Sequence, residues 1–210
     1  LTLLTLGILQ GLTAFLPVSS SGHLVLLQSH LPGFREPGVL FYASVHLATL
    51  GAVLAYFRKD FANLAYTVVR PGHADRASVR LLWLVIVGNL PTAVIGLLFT
   101  EPLESLFAST PTAANMLLIT GALLFVVDRV PERNHGIKEM RLSHALSIGI
   151  AQGIAIIPGI SRSGATVAAG VFAGLGRNFA LRYSFLLSVP AVLGAFVLQL
   201  LEHALDGAGP

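Results

Sequence analysis

The chain has 210 residues, of which only 13 are Lys or Arg and 10 are Asp or Glu, so 11% are charged where a globular domain carries about 25%. Hydrophobic residues make up 54%, Gly adds 21 residues and Cys is absent, which excludes a water-soluble domain, a disulfide scaffold, a thiolate metal site and a cysteine nucleophile. The net charge of +3 does not mark a nucleic-acid partner, because the basic residues flank apolar segments and form no stripe interleaved with aromatics.

Residues 1–34, 37–57, 81–100, 105–127, 142–161 and 183–201 each lack any Asp, Glu, Lys or Arg. Most of these stretches match the roughly 20 residues a helix needs to cross a bilayer, so the chain is expected to be an all-α polytopic membrane protein. Stretch 1–34 lacks the basic region and small-residue cleavage site of a signal peptide and is expected to belong to the mature fold. Its apolar run breaks at Pro17, followed by Ser19, Ser20, Ser21, Gly22 and His23. Segment 39–57 comes next, with His46 at its middle as a packing residue or indirect partner of a site. Loop 58–80 holds Arg58, Lys59, Arg70, Arg76 and Arg80, and loop 128–141 holds Arg129, Arg133, Lys138 and Arg141. Crossings 81–99 and 113–127 lie between those loops, and the turn joining the crossings has Glu101 and Glu104 and no base. The two basic loops therefore share a side, the cytoplasmic one by the positive-inside rule. A second break falls at Pro158–Gly159, followed by Ser161, Arg162, Ser163, Gly164 and Thr166. Arg177 and Arg182 stay on the basic side only if 143–175 enters the bilayer and turns back. Stretches 1–27 and 143–175 are each predicted to form a broken or re-entrant hairpin, with His73, His135 and His203 in solvent.

At an offset of 142, residues 7–22 face 149–164 with seven identities in sixteen, Gln10 on Gln152, Ser19 on Ser161, Ser21 on Ser163 and Gly22 on Gly164 among them. The same offset lays 39–57 on 181–199. Paired interrupted segments point to inverted-topology repeats with a midplane site between them. The chain then reads as one integral membrane domain, 1–210, with repeat one at 1–130 and repeat two at 143–210. Counterparts of 81–99 and 113–127 would fall near 223–241 and 255–269. The second repeat is therefore expected to be incomplete, through truncation or in a shortened homologue whose exposed face a partner or homodimer covers.

Where the two breaks meet, the residue types suit an anion. An Arg inside an apolar segment is a functional-site hypothesis by default, and its planar fork matches phosphate or carboxylate. Arg162 has hydroxyls around it from Ser19, Ser20, Ser21, Ser161, Ser163 and Thr166. Gly22 and Gly164 are expected to let backbone N–H groups converge on the same anion, as in glycine-rich phosphate loops. Gln10 and Gln152 are assigned a shared role in binding, and His23 or Ser20 is the candidate nucleophile or base beside Arg162. Close helix packing by Ser and Gly with a snorkelling Arg162 is the alternative, and it does not explain why the polar residues recur in register.

The run 10–23, QGLTAFLPVSSSGH, and the run 158–166, PGISRSGAT, resemble the two signature motifs of the undecaprenyl pyrophosphate phosphatase, or bacitracin-resistance, family. The similarity extends through 184–190, SFLLSVP. The resemblance implies inverted repeats with re-entrant hairpins and removal of the terminal phosphate from a polyprenyl diphosphate, which recycles the lipid carrier of cell-wall polymers. It also implies a divalent cation, Mg²⁺ or Ca²⁺, and a place in the bacterial inner membrane with the site open to the outer side. One position departs from the pattern. The family's first motif has Glu or Gln, three residues, then Glu, and here those positions are Gln10 and Ala14. Ala14 can neither ligate a metal nor exchange a proton, and loss of a general base costs about 10²–10⁴ in rate. Three activities fit the motifs: a slowed phosphatase, which family membership favours, a lipid-phosphate transporter or flippase, and a binder that does not hydrolyse.

Overall fold

With no water around an apolar run, its backbone N–H and C=O groups must pair with each other, and the helix is the local solution. The computed structural model describes residues 2–31, 38–99, 106–107 and 109–206, and these are helical apart from turns, short connections and a single isolated bridge. In chain order the helices are α1 (Thr2–Thr13), α2 (Ser20–Ser29), α3 (Gly38–Tyr56), α4 (Arg58–Val69), α5 (Arg76–Leu98), α6 (Thr110–Asp128), α7 (Leu142–Ile154), α8 (Arg162–Phe172) and α9 (Arg177–Asp206). Arg76–Leu98, Thr110–Asp128 and Arg177–Leu201 are long and apolar enough to cross a bilayer. They expose Trp83, Ile86, Leu90, Leu118, Phe125 and Val197, which suits a lipid-facing surface. The turn with Glu101 and Glu104 and the side chain of His203 lie outside the described residues.

Loop 58–80, read from the sequence as a basic connection, contains the helix α4. Its polar residues Arg58, Lys59, Asp60 and Asn63 alternate with Phe61, Leu64 and Tyr66, so it is amphipathic and a search for wholly apolar runs passes over it.

Both predicted breaks are present, at 14–19 and 155–161. Helices α7 and α8 have 13 and 11 residues, about 20 and 16 Å at 1.5 Å per residue, too short to cross. Helix α7 runs alongside α5 in the same direction: Arg80 Nη2 donates to Met140 O at 2.7 Å near the starts of both, and Thr92 Oγ1 donates to Gly149 O at 2.9 Å further along. Helix α8 then returns, because Ala173 just after its end lines the same polar pocket as Arg80 and Arg141. Arg177 begins α9 at that end too, where its Nη2 donates to the carbonyls of Val127, Asp128 and Val130 at 3.2, 3.1 and 2.9 Å. One guanidinium thus satisfies carbonyls that the end of α6 leaves unpaired. Arg182 pairs with Asp60 of α4.

Among the described residues the α5–α7 contact is the most extensive between two helices, and small residues make it possible. A Cβ on Gly149 would lie 2.0 Å from Gly88 O, and one on Gly153 would lie 2.4 Å from Ile95 Cδ1. The core beside this seam gathers Leu84, Ile148, Ala168, Leu175, Tyr183 and Leu187, and Tyr183 Oη donates to Leu84 O at 2.6 Å. Gly149→Ala is expected to lower stability by about 1–3 kcal/mol through overpacking. Gly121→Ala, where a Cβ meets nothing within 4 Å, is expected to raise it by roughly 0.5–1 kcal/mol. Unfolding in detergent followed by circular dichroism checks the pair, and two shifts of the same sign would contradict the packing account.

Candidate anion-binding site

The same local chemistry recurs at the two breaks. Ser19 Oγ accepts the Gly22 N–H at 3.3 Å, and Ser161 Oγ accepts the Gly164 N–H at 3.1 Å. The hydroxyls of Ser19 and Ser21 lie 3.4 Å apart, and those of Ser161 and Ser163 lie 3.3 Å apart. Each serine is an N-cap of a helix whose apolar continuation begins one turn later. The backbones differ: Ser161 has φ −71°, whereas Ser19 has φ 62°, in the left-handed region that a non-glycine residue occupies only under strain.

The two caps are brought together by contacts between their loops. A Cβ on Gly22 would lie 2.7 Å from the Gly159 Cα, and one on Gly164 would lie 3.3 Å from the Pro17 carbonyl oxygen. Gly159 itself has φ 97° and packs against Ala113 and Met116 of α6, a conformation and a closeness that glycine alone tolerates. Thr120 of α6 ties this turn down. Its Oγ1 donates to Gly159 O at 2.8 Å and accepts the Ser161 N–H at 3.1 Å.

A cavity of about 610 Å³ opens beside the paired caps. Of the predicted residues, Ser19, Ser20, Ser21, Gln152, Ser161, Arg162 and Ser163 line it, and so does Ala14. The first-turn N–H groups of α2 and α9's neighbour α8 lack intrahelical partners, and both helix N-termini carry partial positive charge. Arg162, half-buried, has no hydrogen-bond or carboxylate partner among the described residues. No Asp or Glu stands among the described lining residues, and His46 is their one imidazole. The walls then turn apolar along α9, through Val192, Val197, Leu198 and Leu201. A positive, donor-rich end opening onto an apolar channel suits an anionic head on a hydrocarbon tail.

Several predicted residues take other places. Gly22 and Gly164 do not offer their N–H groups to a ligand, because the serine caps accept them. Their role is close approach. Thr166 does not line the cavity: it is 1% exposed, its Oγ1 donates to Arg162 O at 2.8 Å and lies 2.6 Å from Ser184 Oγ, so it ties α8 to α9. His23 lies off the cavity wall with Nδ1 2.8 Å from Ser19 O. A carbonyl can only accept, so Nδ1 carries the proton and Nε2 is the free nitrogen. The matched glutamines part company. Gln152 Nε2 donates to Thr92 Oγ1 at 3.0 Å and Asn89 Oδ1 at 3.3 Å, leaving Oε1 unpaired. Gln10, 1% exposed, has neither amide atom paired and does not line the cavity.

Asn89, Thr92, Thr120 and Ser188 escaped the sequence reading, and His46, read as packing or an indirect partner, lines the cavity itself. All are polar positions inside otherwise apolar segments, which is the signal that could have found them. The described side chains do not assemble a ligand set for the Mg²⁺ or Ca²⁺ implied by the resemblance. Among the described residues no three of His, Cys, Asp and Glu gather, and hard cations want carboxylates.

Fold and site together define a membrane-embedded helical protein in which two broken helices meet beside an arginine that has no side-chain partner among the described residues. The chain belongs to the bacitracin resistance protein BacA family, whose pattern matches residues 3–209. It is 48% identical over 199 residues to the undecaprenyl-diphosphatase of Syntrophotalea carbinolica, covering 94% of this chain and 75% of that protein. Similar matches are the undecaprenyl-diphosphatases of Desulforapulum autotrophicum, 46% identical over 97% of this chain and 78% of that one, and of Methanosphaera stadtmanae, 40% identical with the same coverage.

Thr120→Val removes both bonds that hold the 159–161 turn and is expected to weaken binding of a polyprenyl diphosphate about tenfold, roughly 1.4 kcal/mol. Thr120→Ser keeps the hydroxyl and should bind as the unsubstituted chain does. Equal affinity for all three, measured by ligand titration in detergent, would remove Thr120 from the site's support.

Proposed function

We propose that this chain is an undecaprenyl-diphosphatase slowed by Ala14, acting in a bacterial plasma membrane with its site at the outer face. The observation that carries the reading is Arg162, a guanidinium with no counter-charge among the described residues, set among serine hydroxyls at the polar end of a cavity whose far walls are apolar. The names of the relatives support the substrate. The matched serine caps support reading the hairpins as inverted repeats, and nothing in the fold or the relatives favours transport over hydrolysis.

In this reading the terminal phosphoryl group sits against Arg162 and the first-turn N–H groups of α2 and α8, and the polyprenyl tail follows α9. Phosphoryl transfer asks chiefly for positioning and charge neutralisation, which these donors supply. The Ser20 hydroxyl, in the cavity wall, attacks phosphorus in line and the bond to the bridging oxygen breaks, so the lipid leaves as its monophosphate. Water then releases the phosphoryl group from Ser20. His23 follows Ser20 by three residues on α2, which places both on one helical face. Its Nδ1–H, fixed by Ser19 O, leaves Nε2 as the acceptor for the Ser20 proton, the arrangement of a base oriented by a third group. Gln152, whose Oε1 is unpaired, and the hydroxyls of Ser161 and Ser163 complete the binding of the diphosphate. No carboxylate in the described wall can hold a cation against the diphosphate or buffer the imidazolium, so turnover is slow.

Ala14 is four residues after Gln10, its N–H donating to Gln10 O at 2.8 Å as the helix ends, and it lines the cavity. Ala14→Glu therefore adds the missing acceptor at the wall. Phosphate release from a polyprenyl diphosphate in detergent should rise at least about 10²-fold, with a new acid limb in its pH profile from the added carboxyl. A brisk unsubstituted chain on which the change has no effect would contradict the role given to position 14.

A further inference from the structure

At the end of the bundle opposite this site, a second polar pocket of about 510 Å³ is lined by Arg80, Arg133, His135, Lys138, Glu139, Arg141, His144 and Ala173. Helix α7 connects the two places. It starts beside Arg141 and ends at the 155–161 break, 13 residues on, about 20 Å at 1.5 Å per residue. Four cationic side chains face one carboxylate here, a local excess of three positive charges that equals the net charge of the whole chain.

The positive-inside rule accounts for basic residues in this loop, but it does not require them to converge. Like charges around one pocket repel, and here backbone contacts hold them together. Arg80 is pinned by Met140 O. Glu139 is directed at the backbone, accepting the Gly136 N–H at 2.8 Å, and that bond holds its carboxyl below the usual carboxylate range. The 135 position pairs with Leu175 in an isolated bridge, and the Gly176 N–H donates to His135 O at 2.9 Å. The Arg141 N–H donates to His144 Nδ1 at 3.3 Å. These bonds fasten the loop onto the α8–α9 turn while the side chains of Arg133, Lys138 and Arg141 keep no hydrogen-bond or ion-pair partner among the described residues. Loop 58–80 contributes Arg80 to this pocket, whereas Arg58 folds back on Ala55 O.

We propose that this pocket binds a phosphate monoester or free phosphate. A phosphomonoester carries about −1.5 to −2 at pH 7 and three acceptor oxygens, which matches an excess of three positive charges and two or more guanidinium forks. A phosphodiester, with a single charge and two free oxygens, matches less well. The two sources of such a group are a lipid headgroup at the membrane surface and inorganic phosphate. The proposal uses no residue of the hydrolytic site and stands or falls separately from it.

Native mass spectrometry of the detergent-solubilised chain tests it, carrying Arg162→Gln so that the cavity does not contribute. Phosphatidic acid should bind at least roughly tenfold more tightly than phosphatidylglycerol with the same acyl chains. Arg133→Gln with Lys138→Gln should abolish that preference. Lys138→Gln alone, at a side chain that holds nothing in place, should weaken it severalfold even if the double variant folds poorly. Displacement of phosphatidic acid by millimolar inorganic phosphate identifies the free ion as a sufficient ligand, and retention against it identifies the lipid headgroup; both bear the proposal out. Equal binding of the two lipids, or a preference indifferent to Lys138→Gln, would overturn it.

Discussion

A guanidinium inside an apolar bundle without a carboxylate partner is the constraint on which the rest of this structure turns. Placing an arginine at membrane depth costs about 2.5–3.5 kcal/mol on insertion scales, and most proteins recover that cost with an ion pair. Arg162 has none among the described residues. Its surroundings are donors: serine hydroxyls and the positive ends of two short helices. Such an ensemble needs acceptors in the cavity, from water or from the anion proposed above.

The helix breaks follow from the same constraint. Donor-rich helix N-termini can reach the interior only if helices stop there, and stopped helices free backbone groups that must be satisfied without bulk water. Ser19 and Ser161 satisfy one donor each, Thr120 satisfies a donor and an acceptor of the second break, and Gly22 with Gly159 lets the two loops touch. At the other end Arg177 performs the matching service for the end of α6. Gln10 is the exception, a buried amide with both atoms unpaired, an arrangement that costs about 1–3 kcal/mol per group. It stands at the first of the two positions where the family pattern carries acidic or amide groups, one turn before Ala14.

Much of this was legible in the sequence because lipid removes alternatives. A charge-free run of twenty residues has few fates, and serines recurring 142 positions apart on the same glycine pattern announce two equivalent turns. The return of 143–175 could be inferred from Arg177 and Arg182 together with the basic loops and the break at Pro158–Gly159. Side-chain direction was not legible. Thr166 is one turn after Arg162 and reads as a ligand, yet its hydroxyl turns to Ser184 on a helix that the sequence does not place. Gly22 and Gly164 read as N–H donors, and the adjoining serines take those donors first. Asn89, Thr92 and His46 come from segments far away in sequence, and only the parallel packing of α5 on α7 and the antiparallel packing of α3 on α9 bring their segments to the cavity. The amphipathic helix α4 was hidden because charge counting detects segments buried in lipid and not those that mix charged and apolar residues.

The central claim is that Arg162 reads the phosphate through its planar fork, and its most direct test is the affinity of Arg162→Lys for a polyprenyl diphosphate compared with that for the corresponding polyprenol. Lysine keeps the charge and loses the bidentate geometry. The account predicts that diphosphate affinity falls at least roughly tenfold, about 1.4 kcal/mol, while polyprenol affinity is unchanged. Equal diphosphate binding by the two proteins would contradict it and leave Arg162 as a buried cation with no part in recognition.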